Sequence, residues 1–152
     1  MMEDEFYTFR EYMKKEDNML TASMEDYLEM ICRLCDNATY TRINELAAAL
    51  NVQPPSATKM VQKLSELNLI DYKKYGIITL TEKGYQIGRA LLKRHDIIEK
   101  FLRLLDITDE LLEETEKIEH TISNHTLKKL DKLISFFDNH PEIKNMLKEY
   151  LK

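Results

Sequence analysis

From residue 24 onward, apolar side chains recur at helical spacing. Met24, Tyr27, Leu28, Ile31, Leu34 and Cys35 stand three or four apart, which lines one face of a helix. Ser23 can serve as its N-cap, and Asn37 and Thr39 mark its end. A shorter stripe follows in Ile43, Leu46, Ala47 and Leu50. The segment Asn51-Val52-Gln53-Pro54-Pro55-Ser56 then breaks the pattern as a tight turn, with proline pre-set for the first turn of the next helix. That third helix is expected to run to about Asn68, burying Met60, Val61, Leu64 and Leu67. Its outer face carries Ser56, Thr58, Lys59, Gln62, Lys63 and Glu66.

The period then changes. Leu69-Ile70-Asp71-Tyr72-Lys73 and Ile77-Ile78-Thr79-Leu80 read as two short strands joined at Lys74-Tyr75-Gly76. Thr81 caps a long helix from Glu82 to about Leu105, with Ile87, Leu91, Ile98, Phe101, Leu102 and Leu105 apolar. Shorter helices are expected near 109–121, 124–137 and, after Pro141, 142–151. Residues 1–20 hold six acids and three bases around Phe6, Tyr7, Phe9 and Tyr12; a short amphipathic helix and a loose arm are both compatible with them.

The fold class is therefore mainly α. Helix, short helix, turn, exposed helix, hairpin and helix is the order of a winged helix-turn-helix, here followed by a helical domain. The expected division is an extension at 1–20, a DNA-binding winged helix-turn-helix at 21–92 and a helical metal-binding and dimerisation domain at 93–152. A major groove admits one helix and is read from that helix's N-terminal half. Gln53, Pro55, Ser56, Thr58, Lys59 and Lys63 present small, polar or basic groups there, and Lys73 and Lys74 in the hairpin suit phosphates. A merely solvated amphipathic helix would show the same polar face; the order of elements and the basic hairpin favour DNA.

Charge supports this once it is divided along the chain. The net charge is −5, yet residues 38–95 hold nine lysines and arginines against four acids, a local +5 that leaves −10 elsewhere. A basic module in an acidic chain suits phosphate contacts in the middle and something that wants carboxylates at the ends. Three glycines, three prolines and no tryptophan argue against a turn-rich sandwich or barrel. No apolar run approaches the roughly 18 residues of a bilayer span, and the acidic N-terminus lacks the hydrophobic segment of a signal peptide. Cys32 and Cys35 cannot build a disulfide framework, so a reducing, cytoplasmic setting without membrane partners is expected. A lone CxxC inside a helix lacks the second pair a zinc site needs, and the two read as core or helix-face thiols.

The acids are not spread evenly. Asp26 and Glu29 are three apart, and Glu116, Glu119 and His120 stand at i, i+3 and i+4, so each set shares a helix face. His95 lies on the long helix between Arg94 and Asp96. Each has a plain alternative: Asp26 could complete a capping box with Ser23, the glutamates could be solvated, and His95 could be a hydrogen-bonded surface imidazole.

Ser23-Met-Glu-Asp-Tyr-Leu-Glu29, Thr58-Lys-Met-Val-Gln-Lys-Leu64, Leu80-Thr-Glu-Lys-Gly84, Arg94-His95 and Glu116-Lys-Ile-Glu-His120 together resemble the diphtheria-toxin-repressor-like metalloregulators, in their manganese-transport-regulator branch. The resemblance runs from Ser23 to about Phe137. It implies metal ligands at Asp26, Glu29, His95, Glu116, Glu119 and His120, a homodimer, and repression of metal-uptake genes through double-stranded operator DNA. The iron-responsive branch has Met and Cys where this chain has Asp26 and Glu116, and usually adds an SH3-like domain for which this chain ends too early. Carboxylates and imidazoles without thiolate suit Mn²⁺, although Zn²⁺, Fe²⁺, Co²⁺ or Cd²⁺ could substitute. Four carboxylates could bridge two ions, so a binuclear site is expected.

Two rival classes make different demands. A winged-helix regulator with an organic effector needs an apolar pocket, whereas this constellation is rich in carboxylates, and no organic cofactor is expected. A dinuclear enzyme in a helical bundle needs paired Glu-x-x-His motifs; this chain has none, nor an HExxH motif or a Gly-rich phosphate loop, so it does not read as an enzyme.

Overall fold

The computed structural model describes residues 20–152; the alternatives for the N-terminal extension fall, Leu20 apart, outside the described residues. Two compact units divide between Leu91 and Leu92.

The N-terminal unit begins with helix α1, Ala22–Ala38. Its cap is Thr21 rather than Ser23: Thr21 has extended backbone, and its hydroxyl oxygen accepts from the Met24 N–H at 3.1 Å. Ser23 thus lies inside the first turn, which removes the capping alternative for Asp26. Thr39, at φ 63°, closes the helix with its N–H on the Cys35 carbonyl. Strand β1, Thr41–Arg42, leads into α2, Ile43–Leu50. Asn51 ends α2 in the left-handed region, which asparagine tolerates. Helix α3, Pro54–Glu66, starts from an extended Gln53 with proline in its first turn. It stops two residues before the expected end, because Asn68 turns left-handed at φ 59° and reverses the chain into the sheet. Its buried face is Ala57, Val61 and Leu64; Met60 and Leu67, expected inside, are only partly buried.

Strand β2, Ile70–Tyr72, a single turn of 3₁₀ helix at Lys74–Gly76 and strand β3, Ile77–Leu80, form the hairpin. The sheet has order β1-β3-β2, all antiparallel, with Thr41 opposite Ile78, Arg42 opposite Ile77 and Tyr72 opposite Ile78. Strand β1 was not expected, because two residues are too few to show a period. The core of this unit gathers Leu28, Ile31, Leu46, Leu64, Leu69, Ile70, Ile78, Ile87 and Leu91, each less than 3% exposed. Burial of each such side chain contributes roughly 2 kcal/mol.

Helix α4, Glu82–Leu104, begins at a tight junction. The Thr81 hydroxyl accepts from the Gly84 N–H at 3.0 Å and donates to the Asn68 carbonyl at 2.7 Å, while the Thr81 N–H donates to the Leu69 carbonyl at 3.1 Å. Gly84 is required there: a Cβ on it would stand 1.7 Å from the Leu69 carbonyl oxygen.

The C-terminal unit holds the rest of α4 and helices α5, Leu111–Glu119, α6, Asn124–Asn139, and α7, Pro141–Leu151. Ser123 caps α6, its hydroxyl accepting from the Thr126 N–H at 3.2 Å. Ile97, Ile98, Leu102, Leu104, Leu127 and Ile134 are buried, and α6 packs on α7. Among the described residues no helix is long and apolar enough to cross a membrane.

Candidate metal centre and nucleic-acid interface

Ala57, Val61 and Leu64 turn α3 so that its opposite face meets solvent. Gln53, Pro55, Ser56, Lys59 and Lys63 are exposed on or just before this helix, and Lys73 and Lys74 are exposed in the hairpin. Thr58 is partly buried, and its hydroxyl donates to the Pro54 carbonyl at 3.0 Å. The surface offers lysine cations around a helix N-terminus whose N–H groups favour anions.

The imidazoles and a buried carboxylate meet in the C-terminal unit. His95 on α4 is 9% exposed and Glu119 at the end of α5 only 1%. His95 Nδ1 lies 3.0 Å from Glu119 Oε2, and His120 Nε2 lies 3.4 Å from Glu119 Oε1. On its other side His95 Nε2 is 3.3 Å from Glu99 Oε2. Glu99 in turn accepts from Arg103 Nε and Nη2 at 3.2 and 3.0 Å. The Arg94 guanidinium is 3.3 Å from His120 Nδ1. Arginine can only donate, so Nδ1 accepts and the imidazole's other nitrogen faces Glu119.

Glu99 escaped sequence reasoning. Its signal was available, since it stands at i+4 from His95, but nothing in spacing separates it from the helix's other solvated acids. Glu116 is exposed on α5, and among the described residues it is not brought to the imidazoles. The surface-imidazole alternative for His95 is overturned by its burial. In the N-terminal unit, Asp26 is partly buried on α1, and Glu29 is 7% exposed with its Oε1 accepting from Arg33 Nη2 at 3.0 Å.

The donor set fits a divalent cation. Two ligand atoms about 2.1–2.2 Å from one ion at right angles stand about 3.0 Å apart, and the His95–Glu119 and His120–Glu119 separations are 3.0 and 3.4 Å. A carboxylate as deeply buried as Glu119 requires a cationic or hydrogen-bonding neighbour. Imidazole nitrogen and carboxylate oxygen suit Mn²⁺, Fe²⁺ or Zn²⁺ rather than softer ions. The two thiols are unsuited to the task. Burial first, then the Asp36 charge, pushes Cys32 up to about 11, and burial raises Cys35 as well, so thiolate is scarce at neutral pH.

A family model described as iron dependent repressor, N-terminal DNA binding domain, matches residues 19–78, and one described as iron dependent repressor, metal binding and dimerisation domain, matches residues 81–148. The HTH-type transcriptional regulator MntR of Oceanobacillus iheyensis is 40% identical over 132 residues, covering 86% of this chain and 90% of that protein. The regulator of the same name from Bacillus subtilis is 39% identical over 135 residues, covering 88% and 95%. The solved structure of the manganese regulator SloR superposes with a TM-score of 0.66 at 32% identity, over 74% of this chain and 54% of its own. The chain thus spans about half the length of that structure.

Proposed function

The chain belongs to the iron-dependent repressor family, and from that premise we propose that it is a manganese-dependent transcriptional repressor, binding operator DNA as a metal-loaded homodimer to control metal-uptake genes. The observation that carries the metal reading is Glu119, a carboxylate 1% exposed with an imidazole against each oxygen. We assign Asp26, Glu29, His95, Glu116, Glu119 and His120 to the ligand set. Four carboxylates in that set can bridge a second ion, so we propose a binuclear centre. Bound Mn²⁺ supplies positive charge to this oxygen-rich set; the residues do the rest. Asp26 and Glu29 belong to a helix of the DNA-binding module, residues 21–92, and the other four to the metal-binding and dimerisation domain, residues 93–152. Ligation of one centre by both raises the fraction of molecules in the DNA-competent arrangement without touching DNA.

On the DNA side, the reading assigns Gln53, Pro55, Ser56, Thr58, Lys59 and Lys63 to the major groove and Lys73 and Lys74 to phosphates. Exposure of Leu112, Leu133, Phe136, Met146 and Tyr150 in the C-terminal unit supports self-association, and a two-fold dimer implies paired half-sites.

The test is retention of a duplex, selected from a random-sequence pool, by protein stripped of metal and then loaded with Mn²⁺, Zn²⁺ or Fe²⁺. Mn²⁺ should give the tightest complex, and Lys59→Ala should weaken it by about 1–3 kcal/mol while leaving Mn²⁺ affinity unchanged. Equal retention with and without every metal would overturn metal dependence.

A further inference from the structure

Helix α1 carries one base, Arg33, among four acids, Glu25, Asp26, Glu29 and Asp36. Two of those acids stand within one turn of it. Asp36, three residues on, is well exposed and is held by Arg89 of α4 at 3.0 Å. Arg33 turns the other way, to Glu29 four residues back, where its Nη2 donates to Oε1 at 3.0 Å. That direction suits a helix, whose long side chains lean toward the N-terminus. The two partners are unequally placed: the side chain of Arg33 is 45% exposed and that of Glu29 only 10%. A bridge with one partner in water contributes little to stability. Its effect is local: it brings positive charge to a carboxylate with little access to water.

We propose that Arg33 is a displaceable counter-cation of the metal centre, competing with the divalent ion for Glu29 and so setting the metal concentration at which the protein responds. This rests on the assignment of Glu29 to the ligand set above. A guanidinium and a divalent ion seek the same carboxylate. Two cations on one carboxylate repel, and at a buried carboxylate little water is present to screen them. Arg33 can give way at small cost, because its guanidinium is already half in water at the end of a flexible stem. Arg94, 5% exposed beside His120, lacks that freedom. The competition is one of charge and is indifferent to ligand softness. It therefore shifts the threshold for every divalent ion alike and leaves the choice among them to the ligands, which separates the role of Arg33 from that of Asp26.

Arg33→Gln keeps an N–H donor on a flexible stem and removes the charge. Calorimetric titration of the full, metal-stripped chain should show this variant binding Mn²⁺ about fivefold to tenfold more tightly than wild type, and Zn²⁺ by about the same factor. Arg33→Lys, which retains the charge, should stay within about twofold of wild type. Thermal midpoints give a second readout through linkage. Without metal, Arg33→Gln should melt a few degrees below wild type, because Glu29 has lost this counter-charge. In saturating Mn²⁺ the gap should close, because the ion takes its place. A merely structural bridge would lower the midpoint equally in both conditions and leave Mn²⁺ affinity unchanged, and that result would overturn the inference. So would weaker Mn²⁺ binding by Arg33→Gln, which would make Arg33 an orienting group, or an equal gain in Arg33→Lys, which would remove charge as the cause. Each of these leaves the metal reading standing. Wild type that takes up no Mn²⁺ would overturn both.

Discussion

Replacing Gly84 by alanine should destabilise this protein by about 2–4 kcal/mol, although in an isolated helix the same change stabilises by about 1 kcal/mol. The new methyl carbon would sit 1.7 Å from the Leu69 carbonyl oxygen, with the carbonyl carbon at 2.7 Å. Both are backbone atoms and cannot rotate away, so the start of α4 must withdraw by roughly 1.5 Å to reach ordinary contact. That movement stretches the bond from the Thr81 N–H to the Leu69 carbonyl at 3.1 Å and the one from the Thr81 hydroxyl to the Asn68 carbonyl at 2.7 Å. Each is worth about 1 kcal/mol, and disturbed packing around Leu69 costs about 1–3 more. At about 2–4 °C per kcal/mol for a chain of this size, the midpoint should fall by roughly 5–15 °C. The other glycines calibrate the reasoning. A Cβ on Gly88 would meet the Cys32 side chain at 3.0 and 3.1 Å, where small shifts suffice, and one on Gly76 meets nothing but inherits a φ of +75°. Gly88→Ala should therefore stay within about 1 kcal/mol of wild type, while Gly76→Ala should lose about 1–2 kcal/mol to its left-handed backbone alone. Calorimetric scans of the three variants give the ranking; a Gly84→Ala midpoint at or above that of wild type refutes the steric argument.

Glu119→Gln should lower Mn²⁺ affinity by more than about 100-fold, and exposed Glu116→Gln by distinctly less; calorimetric titration showing the reverse order would move the centre away from the buried carboxylate. Asp26→Met should let Fe²⁺ or Co²⁺ support operator binding nearly as well as Mn²⁺, because a thioether favours later metals; an unaltered metal ranking in operator affinity removes selectivity from that carboxylate. Burial lifts the Cys32 thiol from 9.0 to about 11, so the unfolded chain loses this proton first as pH rises. Stability should then fall between about pH 9 and 11, by roughly 2 kcal/mol, and this part of the fall should vanish in Cys32→Ala; urea midpoints at pH 8 and 10.5 with equal losses in both proteins would contradict it.

Helices α2, α3 and α4 were legible because their apolar residues repeat over two or more turns, and a repeat is a local property of the chain. So were the exposed lysines of α3, since a buried stripe of Ala57, Val61 and Leu64 leaves the opposite face outside. What required the tertiary structure were choices between chemically similar neighbours. Thr21 and Ser23 are both competent caps, and where the helix can begin while its apolar face stays on the core selects Thr21. Strand β1 is two residues long and exists only because β3 offers it an unpaired edge. Glu116 and Glu119 stand three apart on one helix, yet one is exposed and the other 1% exposed. Helical periodicity says that both lie toward one face; how deeply each is buried depends on how α5 docks, which is set by contacts distant in sequence. Gly84 and Glu99 make the same point. One is a glycine whose necessity lies in a carbonyl fifteen residues away, the other a carboxylate distinguished from its neighbours only by the imidazole its helix turns toward it. Local patterning determines which elements form and which faces are apolar, whereas the depth at which a polar side chain is buried, and hence the chemistry it can carry, is decided by long-range packing.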